Sequence, residues 1–279
     1  MIPDIDRISA VIAEVAAAEI MTRFDKLRAG DIREKGPGDL VTVADEATER
    51  KLTGAFQDIL PGSRVVGEEA TAADPDLLAH LTGQGWSWVI DPVDGTYNFT
   101  ESRPFFAVIV ALLRDGELAA GWIHDPVAHE TVTAAAGEGA WEGSHRLRIL
   151  SAPERPAELS GVLLSGYFGD KRLGQRVQDR RDRVKTLKSL RSAAHEYLRL
   201  ARAEMNFLLV TKLMPWDHAA GVLIHREAGG YSAYLDGGDY EPKRMKESGM
   251  LLAPDRASWD ALHRLLLEDG EARMGDSAR

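Results

Sequence analysis

Four short clusters in this chain combine residue types that could do chemistry. They are Asp39-Leu40-Val41-Thr42-Val43-Ala44-Asp45, Gly67-Glu68-Glu69, Asp91-Pro92-Val93-Asp94-Gly95-Thr96-Tyr97-Asn98-Phe99 and Trp216-Asp217-His218-Ala219-Ala220-Gly221. The third is the most informative. The run Trp86 to Ile90 leads into two carboxylates three residues apart, followed at once by Gly-Thr. Carboxylates crowded at a buried strand end repel one another and resist desolvation unless a cation pairs with them. Hard cations such as Mg²⁺ take carboxylate and carbonyl oxygens, keep several waters and engage substrate phosphates. A Gly-Thr step opening a helix would present backbone N–H groups to an anion. Each cluster alone also has a blander reading. Asp-Pro-x-Asp-Gly is a tight turn, Gly-Glu-Glu a solvated strand end, and Asp45 and Trp216-Asp217 are helix caps.

The elements that must position these residues are predicted as follows. Asp6 caps a first helix running to about Leu27, and the polar segment Arg28 to Asp39 forms a surface loop. A helix spans Asp45 to Leu60 and a strand Arg64 to Gly67. The strand Trp86 to Ile90 is stopped by Asp91-Pro92. From Phe105 to about Leu150 the turns Asp115-Gly116, Asp125-Pro126 and Gly137-Glu138-Gly139 punctuate an antiparallel meander. Beyond it, strands are expected at Val162 to Ser165 and Phe207 to Val210. Helices are expected at Lys171 to Val184, Ser192 to Ala203, Trp216 to Ala228 and Ala257 to Leu267. The class is α+β.

Composition narrows the chemistry. The 279 residues are 44% hydrophobic and 28% charged, ordinary for a globular protein. There are 44 acidic and 34 basic residues, for a net charge of -10, which argues against nucleic acid as the primary ligand. The absence of cysteine excludes thiolate nucleophiles, disulfides and Cys-ligated zinc. The N-terminal stretch, interrupted by Glu14 and Glu19, reads as an amphipathic helix rather than a signal peptide. The longest apolar run elsewhere, Phe105 to Leu113, falls far short of the roughly twenty residues that span a bilayer. A soluble, cytoplasmic protein without a membrane partner is expected. No G-x-S-x-G occurs, and His195-Glu196 lacks the second histidine of H-E-x-x-H. His195 and His218 are read as helix residues rather than ligands.

The order DLVTVAD, GEE, DPVDGTYNF and WDHAAG, followed by REAGG at Arg226 to Gly230, resembles the signatures of the inositol monophosphatase family over nearly the whole chain. The resemblance implies a layered α/β/α/β/α fold of the inositol monophosphatase/fructose-1,6-bisphosphatase kind. It implies a single domain over 1–279, with an α+β half to about 150, an α/β half from about 151, and one metal site between them. It further implies a lithium-sensitive, Mg²⁺-dependent phosphatase, commonly a homodimer, acting on small phosphate monoesters.

By that similarity, Glu68, Asp91 and the Val93 carbonyl hold one Mg²⁺, while Asp91, Asp94 and Asp217 hold a second. A third, weaker ion is expected near Glu68. Asp45 and Thr96, with Glu68, serve catalysis by orienting and helping to deprotonate an attacking water. Gly95, Thr96 and Asp94 meet the phosphate, and Lys35 forms a lid. Glu69 is expected to act beside the ligands. Family members that act on inositol phosphates carry an acid seven residues before the last metal-binding Asp, where this chain has Val210. Fructose-1,6-bisphosphate, histidinol phosphate and 3′-phosphoadenosine 5′-phosphate are the alternative substrates, of which Asn98-Phe99 disfavours the last two. A noncatalytic interaction protein on the same fold is the alternative of a different class.

Overall fold

The computed structural model describes residues 2–36, 38–149, 153, 155–164 and 171–268. The first helix, α1 (Ile5–Val15), continues as a π-helical turn, Ala16–Met21. A hairpin of β1 (Ile32–Gly36) and β2 (Asp39–Thr42) leads into α2 (Val43–Ile59). Next come β3 (Arg64–Gly67), the short α3 (Glu68–Ala73), β4 (Trp86–Asp94) and the short α4 (Thr96–Thr100). The meander is β5 (Ala107–Arg114), β6 (Glu117–Asp125), β7 (Glu130–Ala135), β8 (Gly139–Glu142) and β9 (His145–Leu147). The remainder is β10 (Ser160–Leu163), α5 (Lys171–Asp179), β11 (Lys185–Thr186), α6 (Ala193–Ala201), β12 (Phe207–Val210), α7 (Pro215–Glu227), β13 (Tyr231–Tyr234), β14 (Met250–Ala253) and α8 (Arg256–Leu266).

Strands β3 to β9 form a seven-stranded sheet in chain order, antiparallel except for the parallel pair β3–β4. A five-stranded sheet has the order β11-β10-β12-β14-β13. Strands β4 and β5 are apolar on both faces because both faces are covered, and successive side chains alternate between the two. Trp88, Ile90 and Val110 meet Ile8, Ile12, Leu52 and Phe56 of α1 and α2. Val89, Ile109 and Ala111 face the opposite way, toward α6 and α7. Those two helices are buried nearly all round, since Val162, Leu208 and Leu252 of the second sheet cover their other side. Phe207, Leu209 and Leu251 on the far face pack on Trp259, Leu262 and Leu266 of α8. The layers are therefore α/β/α/β/α, as expected.

Several boundaries differ from the sequence expectations. Asp4, not Asp6, caps α1 by accepting from Arg7 N (3.0 Å). The helical segment ends at Met21 rather than Leu27. The segment expected as a loop over Arg28 to Asp39 is largely the β1–β2 hairpin; its polar composition is that of an exposed ribbon. The strand expected to stop at Ile90 continues to Asp94. Its partner β3 ends opposite Ile90, so Pro92, which has no N–H, lies where no β3 acceptor awaits one. Irregular pairing with β5 between Asp91 and Asp94 accommodates the proline. Strand β10 lies two residues earlier than expected, and Ser165 is outside the described residues. Helix α5 stops at Asp179, and β11, β13 and β14 were not foreseen. The expected boundary between halves at about 150 also falls outside the described residues. No helix among the described residues is long and apolar enough to cross a membrane.

Candidate active site

Strand β4 delivers two carboxylates at its end. Asp91 is buried and accepts from Val93 N (3.1 Å). Asp94, three residues on, accepts from the Ser192 hydroxyl and from Ala193 N (3.0 Å) and Ala194 N (2.9 Å) at the start of α6. The chain then turns sharply at Gly95, whose φ of +89° is left-handed. A Cβ there would lie 2.6 Å from the Phe105 carbonyl oxygen, so both conformation and space call for glycine. Thr96 opens α4, where first-turn N–H groups have no partner within the helix.

The third carboxylate comes from the middle layer. Pro215 supplies the preset φ that starts α7, and Asp217 lies in its first turn. Asp91, Asp94 and Asp217 each offer an oxygen within 4.8 Å of the others. Burial, then the charges of Glu68, Asp94 and Asp217, push the Asp91 carboxyl well above its ordinary range. Burial, Glu68 and Asp94 do the same to Asp217. Burial also raises Asp94, against its hydrogen bonds from Ser192, Ala194 and Ala193. Three carboxylates that resist ionisation beside one another, Asp91 and Asp94 buried and Asp217 half-buried, form an all-oxygen donor set able to hold a hard divalent cation.

Asp45 faces this cluster from α2. One oxygen, Oδ2, accepts from Thr42 N (2.9 Å) and from the Thr42 hydroxyl, completing a capping box. The other, Oδ1, accepts from Thr96 Oγ1 (3.1 Å), which also lies 2.9 Å from the Val93 carbonyl oxygen. Burial raises Asp45 to about 7.

Glu68 adjoins the three-aspartate cluster, its charge acting on both Asp91 and Asp217. Its Oε1 accepts from Lys35 Nζ (2.8 Å), and the same ammonium donates to Glu69 Oε1 (2.8 Å). Lys35 reaches them from the β1–β2 hairpin. Burial alone would lower its pKa, but Glu68 and Glu69 outweigh it and hold Lys35 above its ordinary value. Burial lifts Glu69 to about 7 despite the Lys35 contact. The structure thus gives Glu69 a lysine partner, and Lys35 acts as counter-ion to the glutamate pair.

Other residues hold the site through contacts that no local sequence pattern marks. Glu49 of α2 accepts from Glu69 N and Ala70 N, both at 2.8 Å, and so fixes where α3 begins. Asn98 donates to the carbonyls of Phe105, Leu190 and Arg191 at 2.8, 2.9 and 3.2 Å. Ser192 caps α6 and lies 2.8 Å from His195 Nδ1, and His195 Nε2 lies 3.2 Å from Asp125 Oδ2. His195 is thus a helix residue that braces a candidate ligand through Ser192. His218 Nε2 donates to the Lys212 carbonyl (2.7 Å), leaving Nδ1 to face Tyr197 Oη (3.0 Å). Burial lowers it to about 4, so it stays a neutral brace in α7.

The sequence profile of the inositol monophosphatase family matches residues 4–272. The chain belongs to the inositol monophosphatase family. Among family relatives, the inositol-1-monophosphatase of Mesorhizobium japonicum is 31% identical over 267 residues, 94% of this chain and 96% of that one. The fructose-1,6-bisphosphatase/inositol-1-monophosphatase of Thermotoga maritima is 29% identical, covering 71% and 72%. The crystal structure of the extragenic suppressor protein suhB of Bartonella henselae superposes with a TM-score of 0.81 at 24% identity, over 96% of this chain and 99% of that one. That similarity establishes the family's layered fold for this chain.

Proposed function

We propose that the protein hydrolyses a small phosphate monoester, inositol monophosphate or a related polyol or sugar phosphate, with Mg²⁺. The observation that carries this reading is the convergence of Asp91, Asp94 and Asp217 beside the Thr96–Asp45 pair. Glu68, Asp91 and the Val93 carbonyl are assigned to one ion, and Asp91, Asp94 and Asp217 to a second, with a third near Glu68. Bound Mg²⁺ would acidify water and offset charge on the phosphoryl group. The chain's own groups do the rest. The Gly95 and Thr96 amides receive phosphate oxygens at the left-handed turn. Thr96 Oγ1 holds the attacking water and passes a proton to Asp45, the carboxylate that accepts its hydrogen bond. Lys35 covers the site from its hairpin.

The test is phosphate release, with and without Mg²⁺, from inositol 1-phosphate, glycerol 2-phosphate, fructose 1,6-bisphosphate, histidinol phosphate and 3′-phosphoadenosine 5′-phosphate. Magnesium-dependent turnover, inhibited by Li⁺, is the expected result. Folded protein that releases nothing across the panel would overturn the hydrolase reading in favour of a noncatalytic role on this fold.

A further inference from the structure

A cavity of about 330 Å³ adjoins the carboxylate cluster, a volume that suits a metabolite. Asp94 and Asp217 line it, together with Arg191, Lys212, Val210 and Thr211. Apart from the two cluster aspartates, the acids of this chain are absent from its described lining. Its other charged side chains are both cations, in a protein whose net charge is -10. Among the described residues, neither Arg191 nor Lys212 is paired with a carboxylate.

Both cations stand on backbone that buried side chains hold in place. Arg191 has a φ of +60°, gives its N–H to Ser189 Oγ (2.9 Å), and its carbonyl accepts from Asn98. Its guanidinium lies 3.9 Å from the ring centroid of Tyr97, the residue after Thr96, which limits where it can swing. The Lys212 carbonyl accepts from His218, and the adjacent Thr211 hydroxyl donates to the Leu164 carbonyl (2.8 Å). Val210 offers only an apolar side chain to the cavity, with no acceptor for a hydroxyl.

We propose that this cavity is a subsite for a second anionic group. The favoured substrate is then a phosphate monoester whose alcohol portion also bears a carboxylate or a further phosphate. This rests on the hydrolase reading and specifies its substrate class. Arg191 and Lys212 are the specificity-determining residues.

Two matched pairs distinguish the sources of the second charge. Glycerol 2-phosphate against 2-phosphoglycerate differs by a carboxylate, and adenosine 3′-phosphate against 3′-phosphoadenosine 5′-phosphate by a phosphate. In at least one pair, kcat/KM should favour the member bearing the second anionic group by roughly tenfold, as expected for charge-assisted contacts at a partly open site. The preference should shrink as ionic strength rises. Lys212→Gln and Arg191→Gln should each reduce the ratio within that pair, whereas a purely structural defect would lower both members together. Equal kcat/KM within both pairs, or a ratio unmoved in both variants, overturns the subsite.

Calorimetric titration of the same pairs in Mg²⁺ reads the subsite without requiring bond cleavage. Tighter binding of a member bearing the second anionic group, without turnover, would keep the subsite and remove the hydrolase. Equal affinities in both pairs without turnover would remove both.

Discussion

At the residue scale the site is a set of charges that the fold cannot tolerate alone. Asp91 stands at the centre, in electrostatic contact with Glu68, Asp94, Asp217 and Asp45. Replacing it by asparagine keeps the shape and deletes one buried carboxylate. Asp91→Asn should abolish Mg²⁺-dependent turnover and the rise in melting temperature on adding Mg²⁺, while the metal-free variant melts higher than the wild type. Near-normal phosphate release by this variant would refute the assignment. Thr96→Ala should cut kcat by roughly 10²-fold or more, the usual loss with a proton-transfer partner, while Mg²⁺ affinity measured by calorimetry changes little. These residues were legible in the sequence because types and spacing coincide within short segments. Asn98 was legible only as part of a motif. Its work lies in three carbonyls, two of them more than ninety residues away in sequence, where no local pattern points.

At the scale of elements, placement depends on a few close approaches. Gly67 is the clearest. A Cβ there would lie 2.3 Å from Glu49 Cδ, within the carboxylate that fixes the start of α3. Gly67→Ala should therefore displace Glu49 from the amides of Glu69 and Ala70 and shift Glu68. The expected cost is about 1–3 kcal/mol in stability, typical of overpacking, together with weaker activation by Mg²⁺. Denaturant unfolding and a Mg²⁺ titration of activity measure the two effects, and an unchanged pair would show that α3 does not depend on this contact. Glu49 escaped notice because a glutamate on a helix is ordinary until the strand opposite is known. The β1–β2 hairpin escaped for a related reason: its residues are polar and glycine-rich, and its pairing rather than its composition makes it a ribbon. By contrast, the two-sided apolar run of β5 was readable, since burial on both faces leaves a local mark.

For the whole molecule, the acidic centre makes stability depend on pH and on cations. Asp45 and Glu69 are held near 7 in the folded protein, whereas free carboxyls release their protons near 4. Between those values the folded chain binds more protons than the unfolded one. The contribution of these groups is fully present below about pH 4 and is lost as pH rises through about 7. Metal-free protein should melt at progressively lower temperature as pH rises from about 5.5 to 8.5, and Mg²⁺ should raise the melting temperature more at the upper end. Thermal melts at fixed ionic strength measure this. A metal-free midpoint that climbs steadily over the range would contradict it. The layered order of helices and sheets was foreseeable through the family resemblance. The joining of two layers at one charged centre, by β4 of the first sheet and by α6 and α7 of the middle helices, is a tertiary fact.

The way Arg191 and Lys212 are fastened has an evolutionary corollary. Asn98 and His218 grip these positions by their carbonyls, which every amino acid possesses, and leave the side chains unconstrained by those bonds. A lineage can therefore exchange either side chain without moving the loop that carries it, and so without disturbing the carboxylates next door. Ligand selectivity can drift through single substitutions while the carboxylate cluster stays still, a modularity by which one scaffold can diversify the molecules it accepts.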